Sequence, residues 1–71
     1  MRDFLMMTLS RDTAILSSLS TSLGDCESRL ADLATRHDGT DRDDLVSALH
    51  EAERLVRSAE REVRRAERLL R

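Results

Sequence analysis

The chain has no proline, tryptophan, tyrosine or lysine, and only one phenylalanine, one cysteine and two glycines among its 71 residues. Each shortage removes a class of structure. A β-sandwich or barrel draws on β-branched and aromatic residues and on Gly/Pro turns, which are too few here. The lone Cys26 forbids an intrachain disulfide and points to a reducing, cytoplasmic home. No apolar run approaches the roughly 20 residues that span a bilayer, and the stretch Phe4 to Met7 is too short for a signal-peptide core. A chain of 8.1 kDa is too small to wrap a sizeable concave pocket, so an enzyme is not expected.

What is present is charge on a regular apolar frame. Charged residues make up 37% of the chain, with 12 basic against 14 acidic for a net charge of −2. Every basic residue is arginine, which fits the codon usage of a GC-rich genome, bacterial or phage. Apolar residues recur on a fixed period rather than thinning out, which disfavours disorder. The expectation is a small all-α protein.

The strongest punctuation runs from His37 to Asp41. Gly39 suits the left-handed position just past a helix end. Thr40 or Asp41 can cap the next helix, with Asp43 and Asp44 against its positive dipole. This predicts one domain over 1–71: helix one over about 3–37, a loop over about 38–40 and helix two over about 41–71. Ser17, Ser18, Ser20, Thr21, Ser22 and Gly24 are weak helix formers set together. A break near Gly24 is therefore an alternative, but the unbroken heptad phase favours continuity.

Leu5, Leu9, Leu16, Leu19, Leu23, Cys26, Leu30 and Leu33 follow alternating spacings of three and four, with Asp12 the single defect. With Leu9 at a, the a column is Leu9, Leu16, Leu23 and Leu30 and the d column Leu19, Cys26 and Leu33. Helix two continues with Leu45, Ala52, Ala59 and Ala66 at d and Leu49, Val56, Val63 and Leu70 at a. Such heptads predict coiled-coil-like packing with both columns inward, Cys26 acting as a small buried hydrophobe. Within helix two a seven-residue unit repeats from Glu53, Glu60 and Glu67. It sets each Glu four residues before Arg57, Arg64 and Arg71, as exposed pairs worth about 0.3–0.5 kcal/mol each.

A short loop makes the helices antiparallel neighbours. Two registers fit: one pairs Leu16, Leu23 and Leu30 with Ala66, Ala59 and Ala52; the other pairs Leu9, Leu16 and Leu23 with the same alanines. Either sets bulky Leu against small Ala and permits close approach. One seam is a thin core for a chain this small. Phe4, Met6, Met7, Ile15, Val46, Leu55 and Leu69 spill off it, and the N-terminal group is expected beside Leu69 and Leu70. The predicted architecture is an antiparallel two-helix hairpin that dimerises into a four-helix bundle.

No cofactor or metal is expected. His37 suits the helix C-terminus as a cation. His50 falls at an outer b position, without the second histidine of a zinc-protease helix. Asp38, Asp41, Asp43 and Asp44 lack EF-hand spacing and read as helix-start acids. Asp12 faces the seam, where it would pair with Arg11 or Arg65, fix the register, or lie near a frayed end. No catalytic set has workable spacing.

Arg54, Arg57, Arg61, Arg64, Arg68 and Arg71 line the face opposite the seam, which gives a competing nucleic-acid reading. Interleaved glutamates, an acidic partner helix and the lack of stacking aromatics weigh against it. A membrane-surface role is not expected on an Ala/Val-rich face without Trp. In outline the chain resembles the WXG-type secreted cargo proteins, although its loop reads His37-Asp38-Gly39 without Trp, so the likeness is of architecture only. The leading expectation is a non-enzymatic module that binds itself and an unidentified protein partner, as adaptor, subunit or inhibitor. Its candidate surface is Phe4, Met6, Met7, Ile15, Leu55 and Leu69. A purely structural assembly subunit is a further alternative.

Overall fold

A computed structural model describes residues 2–70. It consists of two α-helices, α1 (Arg2–His37) and α2 (Asp43–Leu70), with no strand among the described residues. No proline interrupts either helix, and α1 runs unbroken through Gly24. The helix ends where Gly39 takes φ 77°, a left-handed conformation that costs glycine nothing. The carbonyl of His37, orphaned at the helix end, accepts from the Thr40 amide at 3.2 Å and the Thr40 hydroxyl at 2.6 Å.

Helix α2 starts at Asp43, two residues later than the Asp41 expected. The first helical carbonyl belongs to Arg42, which accepts from the Val46 amide at 3.1 Å. The cap position therefore falls on Arg42, not on Thr40 or Asp41. Thr40 instead bridges the two helix ends, because its Oγ1 also accepts from the Arg42 amide at 3.2 Å. Asp43 and Asp44 occupy the first turn as expected. Helix two was expected to run to Arg71, which lies outside the described residues.

At about 1.5 Å per residue, α1 is about 54 Å long and α2 about 42 Å. The molecule measures 61 × 15 × 11 Å, so the helices lie side by side rather than end to end. Leu16 shares a hollow with Ala66 and Leu70, Cys26 and Leu30 share one with Val56, and Glu27 meets Arg57.

Helix α2 concentrates its apolar residues on one face, and its whole a and d series, from Leu45 to Leu70, is partly or wholly covered. Helix α1 behaves differently. Its covered line is Leu16, Ser20, Leu23, Glu27, Leu30, Ala34 and His37, the a and e positions. The d residues Leu19, Cys26 and Leu33, expected inside, are exposed. Turning towards e puts the small Ser20 and Ala34 against α2 and leaves the d column in solvent. Ala34, 2% exposed, is the one fully buried apolar residue among those described.

Candidate interaction surface

The six residues singled out for partner binding all reach the surface, from 50% exposed at Ile15 to 72% at Phe4, Met7 and Leu69. They do not form one patch. Phe4 and Met7 line a hollow with Thr8, Arg11 and Ala14. Ile15 and Leu69 line another, with Asp12, Leu16, Ala66 and Leu70. The C-terminal leucines therefore sit beside residues 12–16, not beside Phe4 and Met7 as expected. Helix α1 is longer than α2, and residues 2–11 are exposed throughout. That segment projects as an unaccompanied stretch of apolar helix.

Further apolar surface comes from residues expected to be core. Leu19 joins Ile15 in one hollow. Cys26 and Leu33 line a second hollow with Leu30 and Val56. Leu5 and Leu9 are exposed as well. The sequence carried part of the signal for this face: α1 bears apolar residues at d, and Ile15 at g, beside its a column, with only one neighbour within the chain. Asp12 borders the Ile15–Leu69 hollow, while Arg65, one of its expected partners, pairs with Glu62 at 3.3 Å.

The e positions build a polar edge. Glu53 and Glu60, expected on the outer face, are buried, with side chains only 10% and 9% exposed. Small alanines at Ala52 and Ala59 bring the helices close enough to cover them. His50 Nδ1 donates to Glu53 Oε2 at 2.7 Å, so His50 is not merely a surface residue. Of the two expected Glu–Arg pairs that lie wholly among the described residues, Glu60 with Arg64 forms, at 3.3 Å. Arg57 instead crosses to Glu27 Oε1 at 3.3 Å, and the third pair involves Arg71, outside the described residues.

Glu60 Oε1 is buried without a hydrogen-bond partner. The neighbouring Glu27 carboxyl, together with burial, raises the Glu60 carboxyl above its ordinary value, against the pull of Arg64 and Arg57.

Most of the arginine stripe is engaged. Arg54 grips Glu51 through two nitrogens, one at 3.1 Å, and that fork holds the Glu51 carboxyl below its usual range. Arg57 and Arg64 hold carboxylates, and Arg61 donates to Ser58 Oγ at 3.1 Å. Arg68 lies on the exposed face. No described helix is long and apolar enough to cross a membrane. Comparison with protein-family models, curated proteins and solved structures finds no match.

Proposed function

We propose that this chain is a non-enzymatic protein–protein interaction module, an antiparallel helical hairpin that pairs with a second copy as a four-helix bundle and presents a further surface to a partner protein. The carrying observation is the near-absence of a private apolar core: among the described apolar residues Ala34 alone is buried, while Ile15, Leu19, Cys26, Leu33, Leu55 and Leu69 face solvent. The Leu16–Ala66 juxtaposition favours the first of the two registers. In an antiparallel pair the g positions of both helices flank one side and the e positions the other. The exposed Ile15, Leu55 and Leu69 sit at g beside the d column of α1, and the glutamates sit at e. One side thus carries these apolar residues along with Arg29, Arg36 and Glu62 at g, and the other carries the Glu27–Arg57 and Glu60–Arg64 pairs.

The surface area fits this reading. The chain exposes 5718 Å², against roughly 4,500 Å² for a compact folded monomer of its mass. A standard interface removes about 800 Å² from each partner. A second copy on the apolar side would bring the hairpin close to ordinary proportions, leaving Phe4, Met6 and Met7 as an adaptable end for another protein.

Light scattering at micromolar concentration tests the pairing. A closed dimer is expected for the wild type, and monomer for Ile15→Asp and Leu19→Asp. Open-ended oligomers would point to a structural assembly unit. Tight binding to random duplex DNA, falling steeply with salt and lost on Arg61→Ala with Arg68→Ala, would overturn this reading in favour of the arginine stripe.

A further inference from the structure

We propose that Glu27 and Glu60 form a proton-operated clasp between α1 and α2, in which one proton shared by the two carboxyls supplies the hydrogen bond that Glu60 Oε1 lacks. The geometry sets up the shortage. Glu60 Oε2 is taken by Arg64 Nη2 at 3.3 Å and Glu27 Oε1 by Arg57 Nη1 at 3.3 Å. Each carboxyl thus has one arginine on its outer side, and the Glu60 side chain is only 9% exposed. Glu27 acts on Glu60 from α1, held by Arg57, three residues before Glu60 on α2, and two ionised carboxylates have no proton to place between them. The charged groups acting on Glu60 are Glu27 from α1 and Arg57 and Arg64 from α2. The two arginines balance the two negative charges without supplying a donor to Glu60 Oε1.

The consequence is a helix–helix contact that tightens on mild acidification. Glu60 holds its proton more firmly in the packed helices than in the unfolded chain, so packing takes up a proton from solvent. The stabilisation is fully present below the unfolded-state value of about 4.3 and is lost as pH rises through the higher folded-state value. Most acid-sensitive carboxylates behave in the opposite sense. The clasp lies on the polar e edge, away from the apolar side proposed to pair copies, so it works in a monomer or a dimer.

Carbon-detected NMR titration of the side-chain carboxyls in the full chain tests it, with the same Glu60 carboxyl in the urea-unfolded chain as reference. Glu60 is expected to titrate at higher pH folded than unfolded. On thermal denaturation from about pH 7 to about pH 5, the wild-type midpoint is expected to rise relative to that of Glu60→Gln, whose amide supplies the donor at every pH. Glu60 titrating at the same pH folded and unfolded, or a Glu60→Gln slope equal to that of the wild type, would overturn the proposal. The titration uses the wild-type chain, so it decides even where a variant fails to fold.

Discussion

Arg57 Nη1 lies 3.3 Å from Glu27 Oε1, the one ion pair among the described residues that joins α1 to α2. Its direct worth is small, because Arg57 is half exposed and such pairs contribute about 0.2–1 kcal/mol. Its indirect effect is larger in kind. Arg57 pulls the Glu60 carboxyl down against the push from Glu27. Arg57→Gln is expected to cost no more than about 1 kcal/mol in urea denaturation and to move the Glu60 titration to higher pH. An unmoved titration would show that the three side chains do not act on one another.

The two glycines should respond in opposite directions. A Cβ at Gly24 meets nothing within 4 Å, and glycine inside a helix is about 0.5–1 kcal/mol worse than alanine. Gly24→Ala is expected to stabilise by about that amount. Gly39 sits at φ 77°, where a side chain is strained, so Gly39→Ala is expected to destabilise by about 1–2 kcal/mol. Denaturant midpoints of both variants check the signs.

Ala34 marks the point of closest packing. Enlarging it in Ala34→Leu forces the helices apart and should cost about 1–3 kcal/mol. The same enlargement at the exposed Ala14 should change stability by less than about 0.5 kcal/mol. Equal effects at the two positions would mean that the a and e face of α1 is not the one against α2.

How much of this was legible in the sequence follows from where the pattern was unambiguous. Gly39 ended α1 as expected, and the heptads of α2, with Ala at d and charge elsewhere, gave its inward face because only one side is apolar. On α1 the a and d columns are both apolar, yet it is the a and e line that meets α2. Sequence periodicity gave the columns but not the choice among them, so Leu19, Cys26 and Leu33 were assigned to a core they do not enter. The burial of Glu53 and Glu60 was missed for a related reason: an i, i+4 charge pattern looks the same on an exposed face as along a seam narrowed by Ala52 and Ala59. Arg42 rather than Thr40 holds the cap position because the helical hydrogen bonds begin at the Arg42 carbonyl, while the Thr40 hydroxyl ties His37 to Arg42.

Cys26 offers a simple check on exposure. Its thiol lies on the surface of the single hairpin but within the side proposed to pair two copies. Labelling by a neutral thiol reagent is expected to slow as protein concentration rises, and to lose that dependence in Ile15→Asp. Labelling that stays fast at every concentration would place Cys26 outside the contact.

The most direct measurement is isotope-filtered NMR on a mixture of labelled and unlabelled chains, reading contacts between copies at the methyl groups of Ile15, Leu19, Leu33, Leu55 and Leu69. Contacts between copies at Leu19, Leu33 and Leu55 are expected, because those side chains are only partly covered within their own chain. A well-folded chain at millimolar concentration whose methyl groups show no contact beyond their own molecule would contradict the pairing of hairpins through this face.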